Sequence, residues 1–393
     1  MVPKGWKEKR VEEVCLQVSV GIVVQPAQYY IDSLNGVRAF RSANVRDGKV
    51  GNEDWVYISH EGNEKNKKSR LRAGDVLVVR SGYPGTACVL PKKYEGSNCI
   101  DIIFARPLKD YIIPEYLCAF TNSEHGRRQV LNTQGGLAQK HLNVKAYSKM
   151  RIPIPPLPEQ KKIARILSAW DKAIETVEKL IENSQQQKKA LMQQLLTGKK
   201  RLPGFSGEWS EYRLGEICTP KQWPTISFSQ LDVSGYPVYG ANGFIGYYHD
   251  FNHEEETVAV TCRGSTCGEI RMVPQKSYIT GNSMSLDNFN KNICLPRFIY
   301  YLLKFRGTRD VISGSAQPQI IGNDLKKLKI QVPPLKEQEY LSDILFVYDS
   351  YVGNLLSNKD NLIRQKSALM QQLLTGKRRV RVDEDDRSST SVE

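Results

Sequence analysis

Four side chains in the second half of the chain carry metal-ligand chemistry: His249, His253, Cys262 and Cys267. His-x3-His followed by Cys-x4-Cys is close to zinc spacing in reversed order, since zinc takes imidazole nitrogens and thiolates in tetrahedral sets. The first half has no comparable set. Cys262 also ends "ETVAVTC", a run that reads as a strand, where a cysteine ordinarily serves as a small buried side chain. The spacing leaves zinc open, and no metal is assigned. "EQK" at Glu159–Lys161 fits the Glu-x-Lys half of a nuclease motif. It lacks the upstream Pro-Asp, begins a helix, and becomes Glu-Gln-Glu at Glu337–Glu339. A Gly-x4-Gly-Lys-Ser/Thr phosphate loop is missing, as is the Asn/Asp-Pro-Pro-aromatic loop that holds a flipped base. No catalytic residue is expected.

The remaining chemistry is that of binding. Lysine and arginine exceed acidic residues by fourteen, and the sequence pI is about 9.3. A polyanion is the partner such a surface favours, and nucleic acid is the commonest one. Base reading needs Arg, Lys, Asn, Gln, Ser or Thr on loops near the phosphates. "GNEKNKKSRLRAGD" supplies Lys65, Lys67, Lys68, Arg70 and Arg72, and fits either a DNA contact or a solvated charged loop. "RSGYPGT" carries Arg80, Ser81 and Thr86, and "RGSTCG" carries Arg263, Ser265 and Thr266, in matching places after a β-like run. Their glycines let backbone approach a ligand closely, so DNA proximity is favoured over a plain hairpin turn. "TQGGLAQKH", with Gln139 and Lys140, matches "SGSAQPQ", with Gln317 and Gln319. These stretches fit DNA contact or capping of the strand that follows.

Such residues need elements to hold them, and the chain writes its elements twice. "QKKALMQQLLTGKKRL" from Gln187 and "QKSALMQQLLTGKRRV" from Gln365 agree at thirteen of sixteen positions, 178 residues apart. The same offset aligns "PIPPLPEQKKIARILSAWDKAI" with "QVPPLKEQEYLSDILFVYDSYV". Further upstream gaps appear, yet "WKEKRVEEVC" still resembles "WSEYRLGEIC". The organisation expected is a first globular domain at 1–152, a helical spacer at 153–203, a second globular domain at 204–330 and a second spacer at 331–382. The acidic stretch 383–393 is expected to be disordered.

Each spacer opens at Pro-Pro-Leu-x-Glu-Gln, where proline suits a first helical turn, and closes at Thr-Gly, where Gly198 or Gly376 suits a left-handed cap. The first apolar stripe is Ile163, Leu167, Trp170, Ile174, Val177 and Ile181, resuming at Leu191 and Leu195 after a polar break at Ser184 and Lys188. The second is Leu341, Leu345, Tyr348, Val352, Leu355, Leu362, Leu369 and Leu373, with Lys359 and Lys366 interspersed. Four-three spacing is a coiled-coil seam, and each copy is the obvious partner of the other. A short join, "KKRLPGF", makes the pair antiparallel with a globular domain at each end. The join from "TGKRRVRV" back to "MVPKGWKEKR" mimics the internal junction, so the sequence reads as cyclic with pseudo-two-fold symmetry. Lys199–Arg201 and Lys377–Arg379 follow the helices and fit phosphate contacts, acidic patches on a partner, or solvated helix-end charges. Short β-like runs with one helix-like stretch in each globular part make the fold class α+β. The charged N-terminus, scattered cysteines without CxxC and lack of a long apolar run point to the cytoplasm, with no membrane partner.

Two variable domains alternating with helices bounded by "PPLPEQ" or "PPLKEQ" and "LMQQLLTGK" strongly resemble the specificity subunit of a type I restriction-modification system, over nearly the whole chain. The resemblance implies target-recognition domains that each read one half of a bipartite double-stranded DNA site. It implies helices that set the spacing and dock two methyltransferase subunits, with restriction/translocase subunits joining through the complex. S-adenosylmethionine, ATP and magnesium would then belong to those partners, and this chain would bind no cofactor. The alternatives are the recognition subunit of another multisubunit restriction enzyme and a coiled-coil scaffold that ignores DNA.

Overall fold

The computed structural model describes residues 2–132, 141–314 and 317–382. The framework begins with β1 (Lys7–Arg10), β2 (Cys15–Val20), β3 (Val76–Val79), β4 (Ala87–Val89), β5 (Ile102–Pro107), α1 (Pro114–Asn122) and β6 (Arg151–Ile154). The long helix α2 (Leu157–Leu195) follows. The set then repeats as β7 (Ser210–Arg213), β8 (Thr219–Gln222), β9 (Thr257–Thr261), β10 (Ile270–Val273), β11 (Ser283–Asp287), α3 (Pro296–Arg306) and β12 (Lys329–Val332), ending in the long helix α4 (Leu335–Leu374). The chain forms two compact units, residues 1–177 with 358–393 and residues 178–357.

In the first unit β1 pairs antiparallel with β6, and an antiparallel sheet runs in the order β2-β5-β3-β4. All four residues of β3 are buried, because both sheet faces are covered. Alternation sends Val76 and Val78 toward Tyr116, Leu117 and Phe120 of α1, and Leu77 and Val79 toward Phe40, Tyr94 and Phe104. In the second unit β7 pairs with β12 and the sheet runs β8-β11-β9-β10, the same order strand for strand. Val258 and Val260 meet Phe298, Leu302 and Leu303 of α3 there. The helix-like "IPEYLCAFTNSEHGRRQV" is two helices, since Ser123 caps the second by accepting from Gly126 N at 3.1 Å.

Each unit pairs one half of α2 with one half of α4, and the partners run in opposite directions. In the first, Glu159 at the start of α2 is held by Arg379 beyond the end of α4, and Asp171 further along α2 is held by Lys366. In the second, Glu337 is held by Arg201 and Asp349 by Lys188. Every one of these residues is 178 positions from its counterpart, so the antiparallel seam expected from the stripes carries the two-fold repeat down to single ion pairs.

The seam does more than join helices. Ile163, Leu167 and Leu373 sit in the first domain's core with Met370 and Leu374, and Leu195, Leu341 and Leu345 sit in the second with Met192 and Leu196. Val177 and Ile181 are buried, while Trp170, Ile174, Leu191, Tyr348, Val352, Leu355, Leu362 and Leu369 are half-buried. The polar interruption also has a purpose. Ser184 donates to Leu180 O at 2.7 Å, and Lys188 and Lys366 are the cations of the two cross-helix pairs.

The sequence motif at each helix start is explained by two contacts. Gln160 Nε2 donates to Tyr111 O at 2.8 Å and its Oε1 accepts from Ile113 N at 3.0 Å. Gln338 does the same with Ile293 O at 2.8 Å and Leu295 N at 2.9 Å, so each glutamine ties its spacer to the segment entering α1 or α3. The preceding glutamate receives the arginine: Arg379 reaches Glu159 at 2.6 and 2.7 Å, and Arg201 reaches Glu337 at 2.7 and 2.5 Å. Gly198 and Gly376 hold the expected left-handed caps at φ 69° and 73°, with Trp209 packed against the first and Trp6 against the second. Arg379 also donates to Lys4 O at 3.0 Å, as Arg201 does to Gly207 O at 2.6 Å, so the segments at 4–6 and 376–379 reproduce the internal junction.

Candidate nucleic-acid interface

In each domain the two loops singled out by type and repetition meet. Ser81 bridges His141 in the first, with Leu142 N donating to Arg80 O at 2.8 Å. Arg263 bridges Gln319 in the second, with Ile320 N donating to Cys262 O at 3.0 Å. His141 and Leu142 are 178 residues before Gln319 and Ile320, so the two junctions are one structure built twice.

Both loops close through the same turn. Thr86 N donates to Tyr83 O at 3.2 Å and Glu269 N to Thr266 O at 3.0 Å, around Gly85 at φ 87° and Gly268 at φ 91°. This is a type II turn, whose third residue needs positive φ and therefore glycine. Gly85 N donates back to Val79 O at 3.0 Å, and Gly268 N to Thr261 O at 2.8 Å.

The backbone register shows that Arg80 occupies the place of Cys262 and Ser81 the place of Arg263. The two arginines are therefore not equivalent, because neighbouring residues on an extended chain face opposite ways. Arg80 points inward. It donates to Asp101 Oδ1 at 2.6 Å and to Leu142 O at 3.2 Å, and lies 2.5 Å from His141 Nε2. Ser81 Oγ lies 2.8 Å from the other ring nitrogen, Nδ1. Arg80 thus braces the loop. Arg263 is exposed and makes no ion pair among the described residues, beside exposed Ser265, Gln317 and Gln319. Thr86 is half-buried, and half-buried Thr266 turns its hydroxyl onto Ala241 O at 3.3 Å.

The basic run lies elsewhere in the first domain. Lys65 and Arg70 are in exposed pairs with Glu61 and Glu64, and Lys67 and Lys68 face solvent on a short 3-10 turn. This segment bonds to Gln17, Ser97, Asn98 and Arg106, and among the described residues it has no hydrogen bond to the 80–86 loop. Gln139, Lys140 and the acidic stretch 383–393 lie outside the described residues. Sequence reasoning missed His141 and Asp101, which hold the first loop, and Tyr83 at its turn. A large aromatic between Gly82 and Pro84 was the available signal.

Three of the four zinc candidates, His249, His253 and Cys262, have other partners. His253 has its two ring nitrogens 2.6 Å from Asn252 Oδ1 and 2.9 Å from Asp287 Oδ1, and exposed His249 faces Asp232. Cys262 Sγ accepts from Gln222 Nε2 at 3.0 Å, and burial pushes its thiol up, away from the thiolate zinc requires. Among the described residues no three His, Cys, Asp or Glu side chains form a metal cluster. Burial likewise pushes the thiols of Cys15, Cys88 and Cys218 up to about 12. Glu159, the acidic residue of the half-motif, is buried under Arg379 and the Trp6 indole, whose N–H donates at 3.1 Å.

The sequence profile of the type I restriction modification DNA specificity domain matches residues 3–183 and again 206–365, one copy for each half of the repeat. The chain belongs to that family. Among curated relatives, the type I restriction enzyme MjaVIII specificity subunit of Methanocaldococcus jannaschii is 25% identical, covering 97% of this chain and 94% of its own length. The EcoKI specificity subunit of Escherichia coli is 21% identical over 92% of this chain and 87% of that one. The fold is that of a crystallised type I restriction-modification S subunit from M. genitalium, with TM-score 0.64 and 17% identity over 95% of this chain and 96% of that one. A structure described by the assembly and conformational transition of the type I R-M system gives TM-score 0.60 at 20% identity, over 95% of this chain and 98% of the other. No helix among the described residues is long and apolar enough to cross a membrane.

Proposed function

We propose that each domain reads one half of a bipartite, non-palindromic DNA site through its pair of converging loops, without catalysis by this chain. The observation that carries this is the repeated loop junction at Ser81–His141 and Arg263–Gln319, on one framework with unlike side chains. Equal frames with different outward residues are what reading two different half-sites requires, and the charge of +14 supplies general attraction to phosphate.

The long helices set the spacing between half-sites and dock the modification subunits, which bring S-adenosylmethionine. Restriction subunits with ATP and magnesium join through them. Support for docking comes from α4, where exposed Tyr340, Val347 and Tyr351 fall on one face at helical spacing. Large apolar side chains gathered on a solvent face mark an interaction surface.

The test is selection of bound DNA by the complex assembled with its modification subunits. Replacing Phe205–Lys329 by the second domain of another specificity subunit changes one half of the selected site and leaves the other intact. Altered preference at both halves, or methylation or cutting by the purified chain alone, contradicts the reading.

A further inference from the structure

The two domains frame the same turn and place different chemistry on it. Tyr83 is the first residue of the type II turn in the first domain, and Thr266 holds that position in the second. Tyr83 is 82% exposed, and among the described residues its ring has no stacking partner and its hydroxyl no hydrogen bond. Leaving such a ring in water forfeits roughly 2 kcal/mol of burial, so folding gains nothing from it.

The mounting is nevertheless rigid. Pro84 fixes one side of the turn and Gly85 the other. Arg80 ties the incoming strand to Asp101 and Leu142, and Ser81 ties it to His141. An aromatic held out on a braced loop loses little conformational entropy when it meets a partner, which is the condition under which a single side chain contributes most to binding.

We propose that Tyr83 is a specificity-determining residue of the first domain, its ring lying against a base of the first half-site. This rests on the proposed reading of the loops as the DNA-facing surface. A flat ring finds apolar contact on a thymine methyl or on the face of a partly unstacked base. DNA is favoured over a protein partner by the equivalent junction in the second domain. There the outward side chains are Arg263, Ser265, Gln317 and Gln319, the types that hydrogen-bond base edges. The two domains therefore read by different means: apolar ring contact in the first, polar contact in the second.

The experiment uses the full chain assembled with its modification subunits and a duplex carrying the site that the wild-type assembly selects. Tyr83→Ala weakens binding about 5- to 150-fold, the range of one lost ring-to-base contact. The slope of affinity against salt stays the same, because no phosphate contact is removed. Sequence preference relaxes at a position in the first half-site only, and Tyr83→Phe, which keeps the ring, restores most of the affinity. Binding by Tyr83→Ala within about twofold of wild type overturns this inference alone, as does relaxed preference in the second half-site. Loss of assembly with the modification subunit at intact DNA affinity assigns Tyr83 to a protein contact and also overturns it. A wild-type assembly that selects no DNA overturns both the inference and the functional reading beneath it.

Discussion

Arg201→Ala tests the energetic logic of the helix starts, because the two copies of the clamp differ in two respects, the donors to the glutamate and the exposure of the arginine. Glu337 is 1% exposed and takes its side-chain bonds from Arg201, at 2.7 and 2.5 Å. Deleting the arginine leaves a buried carboxylate uncompensated, an error that costs about 3–5 kcal/mol when both partners are buried. Arg201 keeps 23% side-chain exposure, so the expected cost falls to about 2–3 kcal/mol. Glu159 in the other clamp has a second donor, the Trp6 indole, whereas the buried Trp209 indole N–H has no hydrogen-bond partner among the described residues. Arg379 is also 45% exposed, and Arg379→Ala is expected to cost about 1–2 kcal/mol. Hydrogen exchange followed by mass spectrometry reads each start separately, at 335–343 for the second clamp and 157–165 for the first. Arg201→Ala should speed exchange more at 335–343 than Arg379→Ala does at 157–165. Arg201→Ala combined with Glu337→Leu should recover most of the protection, since an apolar pair leaves no charge behind. Equal effects at the two clamps, or a double variant worse than Arg201→Ala, would refute the reasoning.

Binding of the assembled complex to its site should weaken steeply as salt rises, with log affinity linear in log salt concentration; a flat response contradicts phosphate neutralisation. Val347→Asp should impair docking of one modification subunit. Val347 is exposed, whereas its counterpart 178 residues earlier is Ala169, and light-scattering mass of the assembly distinguishes loss of one subunit from loss of both. At Asp287, burial pushes the carboxyl up, but hydrogen bonds from His253, Ser285 and Trp223 outweigh it and hold the group below the usual carboxylate range. Its stability contribution is therefore present above the unfolded value near ~3.9 and is lost as pH falls through the lower folded value. Asp287→Asn should remove that acid-limb loss from a pH titration of second-unit stability. Inserting one heptad after Gln185 and after Ile363 adds about 10 Å of helix. That should lengthen the selected DNA spacer by about three base pairs, at reduced affinity because the half-sites also rotate; an unchanged spacer refutes the helices as spacing element.

What the sequence makes legible is periodicity and repetition. The stripe from Ile163 to Leu195, the proline starts and the Thr-Gly ends mark two long helices because helix period, proline and glycine act locally. "VLVV" and "TVAVT" read as strands for the same reason. The ion pairs were less legible. Lys188 and Lys366 look like interruptions of a stripe until the antiparallel register puts Asp349 and Asp171 opposite them. Both aspartates recur at the offset of 178, so a polar residue repeated alongside a repeated stripe was the clue to a built contact.

The loops show where such reading fails. "RSGYPGT" and "RGSTCG" align by eye on their arginines, which makes Arg80 and Arg263 seem interchangeable. Backbone hydrogen bonds align them one residue apart: Arg80 with Cys262, and Ser81 with Arg263. On an extended chain one residue is half a period, so the slip exchanges inside for outside. Arg80 goes in and is neutralised by Asp101, while Arg263 stays in solvent. Composition therefore marks the loops as a binding surface in both domains, but the phase of the backbone decides which residue in each loop faces a ligand. That phase is fixed at a distance, by Leu142 bonding to Arg80 and Ile320 to Cys262, some sixty residues away along the chain. Swapping Arg80 and Ser81 in the chain tests the point directly. The exchange should bury a serine where Asp101 needs a cation and expose the arginine, lowering stability while raising the salt dependence of DNA binding. A swap that leaves both unchanged would mean that the phase is not what separates brace from reader.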